Sequence, residues 1–301
     1  MAQRSLEHQG QQSIVSSLVN LLQSRRRQDL ILKTVVYLLL LIGAFGVMMP
    51  FFWMISTSLK RPGTEFTFPI EWIPVPPRFG NYWTAWSILP FNQWLFNTVR
   101  ITGLSILGHI ISCAIVGFGF ARIRFPGRDA IFLLVLATMM LPFPSIIVPL
   151  FILFKELGWI NTILPLVVPT FFATSAFYIF LLRQFFMTLP LELDDAARVD
   201  GCSTFGIFYR ICIPLIKPAL GIILVFSFMN HWNDFLGPLI FLSDLDQYTL
   251  ALGLRFFQGQ YRVEWTLLMA ASLIILSPCI ILFFIAQKNY IQGIVITGVK
   301  G

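Results

Sequence analysis

The chain alternates long apolar runs with short charged interruptions, and the runs have the length of membrane crossings. A helix needs about 20 mostly apolar residues to cross roughly 30 Å of hydrocarbon. Six stretches meet that requirement: residues 34–59, 101–121, 130–154, 157–182, 218–242 and 265–287. They predict an all-α membrane protein with six transmembrane helices. An N-terminal segment (1–30) and a C-terminal tail (290–301) flank a transmembrane domain at 31–289. In the N-terminal segment Ile14, Val15, Leu18, Val19, Leu21 and Leu22 recur at helical spacing ahead of Arg25-Arg26-Arg27. That pattern fits a helix lying on the inner membrane face, and equally a frayed polar tail.

An even number of spans puts both termini on one side, and the basic residues choose the side. With the N-terminus inside, fourteen Lys and Arg residues fall in the cytoplasm, among them Arg25, Arg26, Arg27, Arg122, Arg124, Arg128 and Arg183. Seven fall outside, including Lys60, Arg61, Arg100 and Arg255. This excess selects cytoplasmic termini in a bacterial plasma (inner) membrane. Composition agrees: 57% of residues are hydrophobic and 12% charged, against about a quarter charged in soluble chains. The net charge of +7 is therefore a statement about topology and gives no reason to expect nucleic acid. Four cysteines without C-x-x-C spacing and three scattered histidines predict neither a disulfide nor a metal site.

Several spans carry more than hydrophobicity. Pro142, Pro144 and Pro149 should kink the third, which then either lines a pathway or is a bent packing helix. Gly103, Gly108, Gly117 and Gly119 allow close packing of the second, where His109 reads as a satisfied interior histidine. Trp72, Tyr82, Trp83, Trp86 and Trp94 suit an interfacial belt outside the membrane. The fifth span holds Asn230-His231-Trp232-Asn233-Asp234. On a continuous helix Asn230, Asn233 and Asp234 share a face. Two amides and a carboxylate beside the Trp232 ring are the chemistry a sugar needs, and polar groups at membrane depth mark a pathway. The competing reading makes Asp234 a solvated end residue.

Between the fourth and fifth spans lies the charged stretch LPLELDDAARVDGCSTFGIFYRICIP, residues 189–214. Pro190 and the acids after it suit a helix N-terminus. Asp194 and Arg198 are spaced for an i,i+4 pair, and Gly201 suits a left-handed stop. Ser203 or Thr204 can cap a second helix. Ala196 and Ala197 leave one side nearly bare for a partner to approach.

At these residues a family resemblance emerges. Asp195-Ala196-Ala197, Gly201 four residues on and Ile211-Cys212-Ile213-Pro214 resemble the signature loop of permease subunits of binding-protein-dependent ABC importers. Asp195 stands where that signature has glutamate, and Ile213 where it has leucine. WNDFLGPLIF in the fifth span and the terminal Gly-Val-Lys-Gly are similar to the carbohydrate-uptake branch, the second permease subunit of the maltose-type transporter above all.

The resemblance implies a type I ABC importer transmembrane domain with a cytoplasmic coupling helix. Its ATPase-coupling residues are Glu192, Asp194, Asp195, Ala196, Ala197, Arg198, Gly201 and Pro214. The substrate pathway holds Asn230, Trp232, Asn233 and Asp234, and Lys300 and Gly301 form a tail at the ATPase interface. It further implies a second permease subunit, two ATPase copies and an extracytoplasmic binding protein as partners, with a di- or oligosaccharide or related glycoside as substrate. No G-x-x-x-x-G-K-[ST] loop occurs, so ATP and Mg belong to the partner ATPase and this chain carries no cofactor and no catalytic residue. The rivals are an ion-gradient-driven secondary transporter, for which no inverted repeat is visible, and a membrane-embedded enzyme, for which one His-Asn-Asp cluster is a thin basis.

Overall fold

Proline, glycine and the apolar runs divide the chain into helices that are long where lipid is to be crossed and short where the backbone turns. The computed structural model describes residues 2–259 and 263–298, with side chains described over 29–259 and 263–287. The order is α1 (Ala2–Ser58), α2 (Gly80–Ile88), α3 (Phe91–Arg122), α4 (Arg128–Met140), α5 (Phe143–Glu156) and α6 (Leu164–Thr188). There follow α7 (Glu192–Val199), α8 (Thr204–Leu215), α9 (Lys217–Trp232), α10 (Leu236–Phe241), α11 (Leu250–Gly253) and α12 (Trp265–Gly298). Among the described residues the only β pairing is an isolated bridge between Gln258 and Val263. The side chains of residues 1–28, on which the surface-helix reading rests, and the tail residues Lys300 and Gly301 lie outside the described residues.

Asp29–Ser58, Phe91–Arg122, Leu164–Thr188 and Trp265–Gln287 are each long and apolar enough to cross a membrane. Two bent pairs raise the number to six: α4 with α5, at 99°, and α8 with α9, at 76°. The first break falls at Leu141, whose extended ψ of 114° is what the following Pro142 imposes. Pro149 sits inside α5 without ending it. The second break falls at Ile216, after a π-helical stretch at Ile207–Cys212 and ahead of Pro218 in the first turn of α9.

Two apolar runs read as single spans are interrupted. The run at 157–182 becomes helical only at Leu164, because Gly158 and Asn161 take positive φ (69° and 63°). Asn161 ties that turn to the end of α10. Its Oδ1 accepts from Ser243 N (3.0 Å) and Asp244 N (2.9 Å), and its Nδ2 donates to Asp244 Oδ2 (2.6 Å). The run at 218–242 ends as a helix at Trp232, and Asp234 Oδ1 then accepts from Gly237 N (3.1 Å) to start α10.

The core is stacked in layers along α3. At its C-terminal end Phe118 and Phe120 pack with Phe132, Leu182, Phe186, Ala197, Phe208 and Cys212. At its N-terminal end Phe91 and Trp94 pack with Trp232, Leu250, Phe257 and the start of α12. Trp94 is wholly buried and donates to Leu245 O (2.8 Å), so it belongs to the core and not to an interfacial belt. Of the four α3 glycines only Gly108, against Thr170 and Phe171, and Gly117, against Leu182, stand where a Cβ has no room. Open space surrounds Gly103 and Gly119.

Candidate functional site

Two places concentrate polar chemistry: the α7 segment at one end of the bundle and a cavity beside the middle of α3. In α7, Glu192, Asp194 and Asp195 occupy the first turn and Arg198 the last, the charge order that the helix dipole favours. Gly201, at φ +79°, closes the helix. Cys202 N donates to Ala197 O (2.8 Å) and Gly201 N to Arg198 O (3.0 Å). A side chain at that φ is disfavoured by roughly 1–2 kcal/mol. Ser203 Oγ accepts from Gly206 N (3.1 Å) and opens α8.

The eight-residue helix has two faces, and they divide the predicted coupling residues. Glu192, Asp195, Ala196 and Arg198 are exposed, as are Gly201 and Pro214 beyond them. Asp194 and Ala197 are buried. Asp194 does not pair with Arg198, one turn along. It turns inward to Arg122 at the end of α3 (3.5 Å), with side-chain exposures of 6% and 3%. The same guanidinium donates to Phe186 O (2.8 Å) and Leu189 O (2.7 Å) at the end of α6. One fork thus ties three helices, a task that needs the rigid, permanently charged arginine head. Ala197 sits in the layer formed by Phe186, Ile207, Phe208 and Cys212, so Ala196 alone of the alanine pair offers a bare outer surface. A polar cleft of about 490 Å³, lined by Arg122, Arg124, Asp194, Asp195, Arg198 and Thr204, opens beside it.

The second place is a cavity of about 790 Å³ bounded by α3, the broken α4–α5 pair, α6 and the α9–α10 break. Thr138, Phe143, Ile146 and Leu150 of the broken pair all face it, which makes that pair a wall of the space. His109 and His231 stack at its edge, ring centroids 5.5 Å apart and planes at 30°. Tyr178 meets His109 edge-on at 5.0 Å. His109 is buried and, contrary to the expectation of a satisfied interior histidine, its Nδ1 has no hydrogen-bond partner among the described residues.

Of the four residues placed in the pathway from sequence, only Asp234 lines this cavity. Asn230 is exposed and donates through Nδ2 to Tyr178 Oη (3.1 Å). Asn233 is exposed and folds back on Met229 O (2.9 Å). Trp232 is buried, with its indole N–H on Ile275 O (3.0 Å) and its face on Phe228. The common face expected of Asn230, Asn233 and Asp234 does not form, because α9 has ended before Asp234 is reached. The sequence reading counted Arg122 only among the cytoplasmic basic residues and gave neither His109 nor His231 a place in a site; the tie of Arg122 to α7 and the stacking of the two imidazoles were missed. The one available signal was the arginine cluster Ala121-Arg122-Ile123-Arg124 at the end of an apolar run.

The profile of binding-protein-dependent transport system inner membrane components matches residues 113–295. The arabinooligosaccharides transport system permease protein AraQ of Halalkalibacterium halodurans is 35% identical, over 82% of this chain and 86% of that protein. The sulfoquinovosyl glycerol transport system permease protein SmoH of Agrobacterium fabrum is 30% identical, over 84% and 88%. In fold the chain resembles the crystal structure of a bacterial ABC transporter involved in the import of the acidic polysaccharide alginate. There the TM-score is 0.76 at 23% identity, covering 87% of this chain and 97% of that one.

Proposed function

This chain belongs to the family of inner membrane components of binding-protein-dependent transport systems, and we propose that it carries a di- or oligosaccharide or a related glycoside across the membrane, driven by ATP hydrolysed on separate subunits that grip α7. It is a transport subunit and not an enzyme. The relatives' names span arabino-oligosaccharides and sulfoquinovosyl glycerol, and a glycosidic substrate is what these have in common.

The observation that carries the coupling part is the division of α7 into an outer face for a partner and an inner face locked to the bundle. Glu192, Asp195, Ala196 and Arg198 are available to an ATPase surface. Asp194, through Arg122, and Ala197, through the aromatic layer, pass any displacement of α7 to the ends of α3 and α6. Packed layers move as units because they are close-packed. The bends between α4 and α5 and between α8 and α9 are where the walls of the 790 Å³ cavity can turn relative to the rest. Closure of an ATPase dimer under α7 then switches which end of the cavity is open.

In this reading the partners are a second permease subunit, two ATPase copies holding ATP and Mg, and an extracytoplasmic binding protein. Both termini lie in the cytoplasm, with Lys300 and Gly301 at the ATPase interface. Reconstitution of the purified subunits in liposomes tests it. Sugar uptake that needs ATP and the binding protein, and that ignores an imposed proton or sodium gradient, is the expected result. Uptake by this chain without any ATPase, driven by an ion gradient, would make it a secondary transporter.

A further inference from the structure

We propose that the cavity beside the middle of α3 is a binding site for uncharged glycosides, in which His109 and His231 read the sugar hydroxyls. This rests on the permease reading above and narrows the substrate to a charge class.

Size comes first. A cavity of about 790 Å³ lies within the range of small-molecule sites and holds a disaccharide or the leading units of an oligosaccharide. Its surface suits sugar rings. Phe143, Phe154, Phe172 and Phe241 are among its lining residues and supply apolar aromatic surface against which C–H groups of a pyranose can pack.

The polar groups are few, and most are committed. The hydroxyls of Thr138, Thr170 and Thr174 donate to Val135 O (2.6 Å), Val167 O (2.7 Å) and Pro169 O (3.2 Å), so they can only accept from a ligand. One oxygen of Asp234 takes the Gly237 N–H. The imidazoles are what remains. Among the described residues His109 Nδ1, buried at the cavity wall, has no partner, and the His231 ring stacks on the His109 ring. A neutral imidazole offers one donor and one acceptor, the pairing that a sugar hydroxyl reciprocates. A buried polar atom left unpaired is destabilising, and a ligand hydroxyl removes that penalty.

Among the described residues the lining contains one carboxylate, Asp234, and no lysine or arginine. A uronate or sulfonated sugar would bring its anion into an apolar space beside Asp234 without a counter-charge, and such burial is strongly unfavourable. A neutral glycoside meets no such barrier.

Equilibrium dialysis of the assembled complex in nanodiscs, without binding protein, tests this against tritiated arabinotriose, lactose and trigalacturonate. At least one neutral sugar is expected to bind, and trigalacturonate more weakly by about tenfold or more. His109→Phe should weaken neutral-sugar binding about tenfold, while His109→Gln, which keeps hydrogen-bonding capacity, stays within about threefold. Trigalacturonate binding as well as the neutral sugars, or His109→Phe binding like the wild type, would overturn the proposal. So would the absence of any sugar binding from a complex whose ATP-driven uptake, measured in parallel, is intact. Absence of ATP-driven uptake itself would instead remove the permease reading on which the proposal rests.

Discussion

Replacing Arg122 with methionine is expected to lower ATP-driven uptake by about a hundredfold while ATP hydrolysis by the partner subunits continues. The substitution leaves Asp194 buried without its cation and frees Phe186 O and Leu189 O. Breaking a buried ion pair from one side is destabilising by about 3–5 kcal/mol, because the surviving charge is uncompensated. Set against the attachment of one eight-residue helix, about 3 kcal/mol shifts the balance between docked and detached α7 by roughly a hundredfold. The detached helix still meets the ATPase through its outer face but no longer moves α3. The double substitution Arg122→Met with Asp194→Leu removes both charges and keeps the volume filled, a change that is often close to neutral. Uptake should therefore recover to within about tenfold of the wild type, and the coupling energy of the cycle should be large. Uptake and ATPase assays on the four proteins check this. A single Arg122→Met variant with normal uptake would show that the ion pair transmits nothing.

The second large effect separates two neighbouring alanines. Ala196→Arg should leave a folded, assembled complex whose uptake falls at least about tenfold, because a long charged side chain enters the surface proposed to meet the ATPase. Ala197→Arg should yield little folded protein. At 7% exposure among Phe186, Ile207 and Phe208, position 197 has no room for a guanidinium, and the carboxylate one turn back, Asp194, is already engaged by Arg122. Overpacking and an unpaired charge together amount to about 4 kcal/mol or more. Thermal unfolding and size-exclusion profiles distinguish the outcomes. Equal stability of the two variants would mean that α7 does not dock as described.

The contrast between these alanines also shows where sequence reading stops. The α7 helix was legible in Pro190, the run of acids and Gly201, because caps and stops are local chemistry. Which side of so short a helix faces inward was not. Asp194 had a good partner in sequence, Arg198, and lost it to Arg122, whose position is set by the packing of α3 against α6. Helical spacing put Asn230, Asn233 and Asp234 on one face, and the spacing was sound while the helix lasted. No proline or glycine announces that α9 ends at Trp232. The Asp234 cap on Gly237 and the burial of Trp232 against α12 are tertiary. Pro142 and Pro144 of the third span, by contrast, act through the backbone itself, and the 99° break stands beside them, while Pro149 is carried inside α5. His109 and His231, far apart in the chain, become neighbours only when α3 and α9 pack.

The central claim is that α7 and the C-terminal end of α3 move together. Double electron–electron resonance on reconstituted complexes tests it most directly. Spin labels are placed at exposed Val199, the last residue of α7, at exposed Ile123 after α3 and at exposed Trp83 of α2. Between nucleotide-free and ATP-bound states the 199–123 distance should stay constant, while both labels change their distance to position 83. A 199–123 distance that changes between the states, with 123–83 unchanged, would contradict the account.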